Sequence, residues 1–275
     1  MDLTPQHIHA FQERILSWYQ ANKRDLPWRH TRDPYRILVS EVMSQQTQLS
    51  RVIPKYEAWI ERFPTVFELS LSPIGEVLRL WSGLGYNRRA LHLQKAAQVI
   101  VGEYKGEFPK EIGILLKLPG LGTYTASAVA CFAFNEQIPV IDTNIRKVIA
   151  HEFFHGDLPQ EKVIEDIARK ILPQGKAYEW NQALMDYSSL ILKDKKIPIP
   201  KQSHFLSSNR YYRGQTIKLL LEVSEISISG LWDFFDERNP IERGRLEEML
   251  RSMEKDGLIS IRSNKVSLPM SKLSD

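Results

Sequence analysis

Apolar residues recur at three- and four-residue steps along most of the first two hundred positions. In PYRILVSEVMSQQTQLSRVIPKYEAWIERF, the residues Ile37, Val42, Leu49, Val52, Tyr56, Trp59 and Ile60 form the stripe of one amphipathic helix, or of two with a break before Pro54. The same period predicts helices at SPIGEVLRLWSG, NRRALHLQKAAQVIVGEY, EIGILLKL, TYTASAVACFAF, TNIRKVIAHEFF, QEKVIEDIARKIL and KAYEWNQALMDYSSLIL. Gly or Pro stands at nearly every junction, and no stretch there alternates with a period of two. The fold class is mainly α, without internal repeats.

From residue 193 to 209, KDKKIPIPKQSHFLSSN, basic, proline and serine residues replace the apolar rhythm. The change divides the chain into a domain over 1–206 and a second over 207–275. In the second, RYYRGQTIKLLLEV and PIERGRLEEMLRSMEKDGLI read as helices, and LISIRSNKVSL reads as two short strands around SNK. Helices followed by a hairpin suggest a small winged-helix-like module.

Composition narrows the classes without choosing among them. The chain has 275 residues, 43% of them hydrophobic and 25% charged, enough for buried cores in two unequal domains. No window holds the eighteen or so consecutive apolar residues of a membrane span, and the N-terminal stretch has charges spread through it, which predicts a cytoplasmic, nucleoid-associated protein. Cys131, the one cysteine, lies in AVACFAF and reads as a small buried apolar residue. A single thiolate cannot hold an iron–sulfur cluster. The net charge of +4 is compatible with a nucleic-acid partner and does not establish one.

Three stretches carry candidate chemistry. LLKLPGLGTYTAS is an apolar helix, a Pro-Gly-Leu-Gly turn and a second helix. The glycines permit close backbone approach, and the N–H groups of the following helix are aimed at whatever lies outside, a natural place for phosphate. In IPVIDTNIRKV, Asp142 follows an apolar run at a helix start, where it serves as an N-cap and becomes functional if a second acid lies near. Glu41 is that candidate, a charged residue inside the apolar helix ILVSEVM, with Gln45 and Gln48 expected on its face.

Taken together, LPWR, PYRILVSEVMSQQTQLSRV, WSGLGYNRRA, LPGLGTYTASAVA, IDTNIRKV and NQALMDYSSLI resemble, in order and spacing, the helix–hairpin–helix (HhH-GPD) DNA glycosylases, and among them the MutY-type adenine glycosylases. The resemblance implies two helical subdomains with the active site between them. It implies base excision repair by hydrolysis of the N-glycosidic bond of adenine mispaired with 8-oxoguanine or guanine in double-stranded DNA. By resemblance Glu41 is the general acid at the purine N7, and Asp142 is the carboxylate that stabilises the oxocarbenium-like sugar and stays ionised at its helix end. Asn144 and Tyr124 support them by hydrogen bonding. Leu26, Trp28, Arg29, Leu49 and Asp186 fall where the family lines its adenine pocket, and Gln46 and Tyr86 where it inserts residues into the duplex. Leu118, Gly120 and Gly122 match the phosphate-binding hairpin, with a monovalent cation at the carbonyls near Leu118. Family members that also cut the strand carry a lysine at the position of Tyr124, so a monofunctional enzyme, with no lyase step, is implied.

Two departures stand out. Where most relatives have four cysteines for a [4Fe–4S] cluster, residues 191–214 contain none, so the cluster is expected to be absent and Ile197, Ile199 and Phe205 to close the loop. The basic residues Lys193, Lys195, Lys196 and Lys201 remain for phosphate contacts. Residues 207–275 are too few for the β-rich module that reads 8-oxoguanine in MutY proteins, which leaves the opposing-base preference open. The competing readings are a thymine or uracil mismatch glycosylase, and a non-catalytic DNA-binding winged-helix protein. A monomer is expected.

Overall fold

A computed structural model describes residues 3–198 and 204–269; Ile199 and Lys201 lie outside them. The described chain is mainly helical and divides into two compact units. The first takes residues 3–41, 109–117 and 121–198, and the second takes 42–108, 118–120 and 204–269.

In the first unit, α1 (Pro5–Asn22) is capped by Thr4, and its buried Phe11, Ile15 and Tyr19 face α11 (Ala177–Leu190). Phe11 meets Trp180 and Phe153 edge-on at centroid separations of 5.5 and 5.2 Å. Helix α8 (Thr123–Phe134) is apolar on nearly every side and is buried from Thr125 to Phe132, as a central helix must be. The short α7 (Ile112–Leu115) and α11 pack on it, α9 (Thr143–Phe153) packs on α11, and α10 (Glu161–Lys170) packs on α9. Buried Asn181 of α11 accepts from the Val140 N–H (2.8 Å) and donates to the Ile138 carbonyl (3.1 Å), which fixes the strap leading into α9. Cys131 is buried in α8, where burial pushes its thiol up to about 12.

Helix α2 (Pro34–Ser44) belongs to the first unit as far as Glu41. In the second unit α3 (Leu49–Arg62) buries Val52, Tyr56 and Trp59, and Trp59 packs on Phe63 and on Trp81 of α5 (Ile74–Trp81). The break in the long stripe therefore falls at residues 45–48, not before Pro54, which lies inside α3. Gln45 and Gln48 consequently leave the helix that carries Glu41, and the expected polar strip does not form. Helix α4 (Val66–Leu71), started by a Thr65–Glu68 capping box, packs on α6 (Arg88–Tyr104).

The same unit holds α12 (Asn209–Val223), β1 (Glu225–Ser227), α13 (Ile228–Asp236), α14 (Arg243–Asp256), β2 (Ser260–Arg262) and β3 (Lys265–Ser267). The strands form an antiparallel sheet in the order β1-β3-β2, with Val266 between Ile226 and Ile261. Ser263 and Asn264 both have left-handed backbones, as a two-residue hairpin turn requires. The hairpin was legible in the sequence, whereas β1, α4 and α13 were not. Of the residues expected to close the loop, Phe205 is exposed and meets Tyr211 edge-on in the second unit, and Ile197 is buried in the first.

Candidate active site

Glu41 is 7% exposed on α2, among Val39, Val42 and Met43. Tyr124, in the first turn of α8, donates its hydroxyl to the Glu41 carboxylate. Burial drives the Glu41 carboxyl from 4.5 up to about 7; the Tyr124 bond and the Arg29 charge pull it down, and the Asp142 charge pushes it further up. Burial also raises the Tyr124 phenol well above its ordinary value, so it stays a proton donor.

Asp142 caps α9, accepting from the Ile145 N–H (2.8 Å) and from the Asn144 amide (2.7 Å). These donors favour the carboxylate, yet burial outweighs them and the group is raised rather than lowered. Burial thus works against the ionised form that the resemblance implied for Asp142 at its helix end. The two acids differ in their partners: several hydrogen bonds support the ionised form of Asp142, and a single phenol holds Glu41.

A second cluster in the same unit is built on Asp186, which is fully buried in α11. Its oxygens accept from the Arg24 N–H (2.9 Å), Arg24 Nε (2.6 Å), Arg29 Nη1 (2.8 Å) and Arg29 Nη2 (2.7 Å). Burial works against the ionised form, and the Arg29 and Arg24 bonds overcome it, so the carboxyl is lowered. The four acceptor positions of a carboxylate are filled by arginines. Asp186 thus anchors Arg29 and the 3₁₀ turn Pro27–His30, which carries Trp28, with Leu26 buried just before it. Arg24, which sequence reasoning passed over, completes the clamp, its carbonyl accepting from Arg29 Nη1 at 2.9 Å.

In the second unit Gln46 and Tyr86 are exposed residues with left-handed backbones, φ 53° and 48°. Such conformations cost an ordinary residue roughly 1–3 kcal/mol and persist where the surroundings enforce them. Arg89 of α6 enforces both. It donates to the carbonyls of Val42 (2.8 Å) and Gln45 (2.6 Å) beside Gln46, and to those of Leu84 (3.0 Å) and Gly85 (3.2 Å) beside Tyr86. Burial lowers its guanidinium to about 10, and it takes carbonyl partners where a buried arginine usually takes a carboxylate. Nothing in the sequence marks Arg89 among neighbouring arginines. Arg89→Met leaves these carbonyls without their donor and is expected to cost about 2–4 kcal/mol in urea unfolding; a loss below 1 kcal/mol would show that the loops hold themselves.

The hairpin residues divide by conformation. Gly120 has φ +80°, and a Cβ there would stand 2.5 Å from that of His92, so only glycine is accommodated. Gly122 caps α8 in an extended conformation with open space around it. Leu118 is buried, and Leu49 is half-buried at the start of α3. No group of three or more His, Cys, Asp or Glu among the described residues could hold a metal ion.

The profile of the HhH-GPD superfamily base excision DNA repair proteins matches residues 39–174. An adenine DNA glycosylase of Mycolicibacterium smegmatis is 44% identical over 181 residues, which cover 64% of this chain and 61% of that one. The adenine DNA glycosylase of Mus musculus is 35% identical over 225 residues, 76% of this chain and 44% of that one. The chain thus spans about three fifths of the length of the first of these relatives. Among solved structures, a thermostable thymine-DNA glycosylase is similar with a TM-score of 0.62 and 30% identity, over 69% of this chain and 89% of that one. An endonuclease III–DNA covalent intermediate, 23% identical with a TM-score of 0.59 over 68% and 86%, shares the fold. With its buried acid on α2 and its hairpin ahead of α8, the chain belongs to the HhH-GPD superfamily of base excision DNA repair proteins.

Proposed function

We propose that the chain is a monofunctional adenine DNA glycosylase acting on adenine opposite 8-oxoguanine or guanine in double-stranded DNA. The observation that carries this reading is Glu41, a buried carboxyl held at about 7 and bonded to Tyr124. Such a group is protonated and ready to donate near neutral pH. Proton transfer from Glu41 to adenine N7 lets the C1′–N9 bond break with its electron pair going to the base. The Asp142 carboxylate then faces the positive charge on the sugar, and water adds at C1′ with release of a proton. Tyr124 is a phenol and cannot form the imine through which a lysine would cut the strand, so the backbone stays intact. The likeness to adenine DNA glycosylases at 44% and 35% identity supports the same choice.

The turn at Leu118–Gly122 presents backbone groups outside helices, which suits phosphate and a monovalent cation held by carbonyl oxygens; the ion would offset phosphate charge there. We place the enzyme with the chromosome, as a monomer without an iron–sulfur cluster. Residues 207–275 form its winged-helix-like domain in this reading. No helix among the described residues is long and apolar enough to cross a membrane.

The likeness to a thymine-DNA glycosylase favours a second reading, removal of thymine from T·G. Thymine needs no purine-protonating acid, which sets Glu41 against it. Duplexes containing A·8-oxoG, A·G, T·G or U·G, with products compared before and after alkali, separate the two. Free adenine with breaks only after alkali is expected; pyrimidine loss, or breaks without alkali, would overturn the reading. Asp142→Asn removes the charge facing the sugar and is expected to slow adenine release about 10²- to 10³-fold in single turnover. A rate within threefold of the unaltered chain would remove Asp142 from the mechanism.

A further inference from the structure

The adenine reading leaves open which residues sense the base across the helix. Tyr86 stands on a loop whose Gly83 and Gly85 both have left-handed backbones, and it is 39% exposed. Its hydroxyl accepts from Arg210 Nη1 at 2.7 Å, and two guanidinium carbons lie near its ring, Arg89 at 5.5 Å and Arg210 at 5.7 Å from the centroid.

Arg210 is not a loose surface side chain. It lies in the first turn of α12, which Ser208 caps, and Arg245 donates to the Ser207 carbonyl (2.8 Å) and to Asn209 Oδ1 (2.9 Å) just ahead of it. One turn on, Arg213 pairs with Asp256 at the end of α14, and Arg88 of α6 reaches the same carboxylate at 3.5 Å. These bonds hold the start of α12 against the loop that bears Tyr86.

We propose that Arg210, carried on α12 and bonded to the Tyr86 hydroxyl, is a specificity-determining residue that donates to the acceptor edge of a guanine-type purine opposite the excised adenine. The inference rests on the adenine reading and on Tyr86 as the side chain that enters the duplex beside that base. A base met by the tyrosine ring also meets the guanidinium at its hydroxyl. Guanine offers O6 and N7 to an arginine fork, and 8-oxoguanine, whose N7 carries a hydrogen, still offers O6 and O8 as separate acceptors, whereas cytosine presents an amino donor that a guanidinium cannot use.

The test measures single-turnover adenine release from A·8-oxoG, A·G and A·C duplexes by the unaltered chain and by Arg210→Ala, Arg210→Lys and Tyr86→Phe, with a melting curve for each. Arg210→Ala is expected to lower the rates on A·8-oxoG and A·G about 10- to 100-fold toward the A·C rate. Arg210→Lys keeps the charge and loses the fork, so it should leave the preference low. Tyr86→Phe removes the anchoring bond and should weaken the preference less. If Arg210→Ala does not fold, the other two variants carry the test. Equal losses on all three duplexes, or unchanged ratios, overturn the proposal alone. No adenine release by the unaltered chain overturns the adenine reading and this proposal with it.

Discussion

Glu41→Gln is expected to slow adenine release by about 10²- to 10⁴-fold, the range a positioned general acid supplies, with duplex binding retained. The amide keeps the shape of the side chain and can still accept from Tyr124, but it has no proton for N7. In the unaltered enzyme the rate should fall about tenfold per pH unit above about 7, because the acid form of Glu41 is lost there. The same carboxyl affects stability. Its folded value lies above the ordinary 4.5, so between these values the folded chain keeps a proton that the unfolded chain has released. Stability is therefore fully present below 4.5, declines up to about 7, and stays reduced by up to roughly 3 kcal/mol beyond. Glu41→Gln should then unfold at a higher temperature than the unaltered chain at pH 8, and by a smaller margin at pH 5. A variant that is inactive and also less stable at pH 8 would contradict the burial argument.

Asp186→Ala should be the most damaging change to the first unit. It leaves Arg24 and the buried Arg29 without their carboxylate, and breaking such a pair typically costs about 3–5 kcal/mol. Urea unfolding of the complete chain measures it. The change also frees the guanidinium whose charge pulls Glu41 down, so any surviving activity should show its alkaline limb at a different pH. A cost below 1 kcal/mol would mean that the arginines find water or other acceptors, and the clamp would lose its structural role.

Much of this was legible before any coordinates, for identifiable reasons. Helices with long amphipathic stripes announce themselves, and Glu41 stands out as a charge inside one. The N-cap role of Asp142 follows from its place after an apolar run, and it was found with the bond to Ile145. Pro54 misled because a proline suggests a break, yet burial of Val52, Tyr56 and Trp59 carries α3 through it. Helix α13 begins Ile-Ser-Gly and has too few turns to show a period. Arg24 and Arg89 were invisible because Arg24 reaches a carboxylate 162 residues away, and Arg89 joins carbonyls of its own loop to others more than 40 residues away. Tertiary pairing of that kind leaves no local trace.

The Arg89 staple bears on how the protein would travel along DNA. Gln46 and Tyr86 are already fixed before any duplex arrives, so a brief encounter demands no folding of loops. Proteins held mainly by phosphate contacts slide and hop between sites. For an enzyme of the proposed kind, these two loops would need no rearrangement at each undamaged pair, and the deformation there would fall to the DNA.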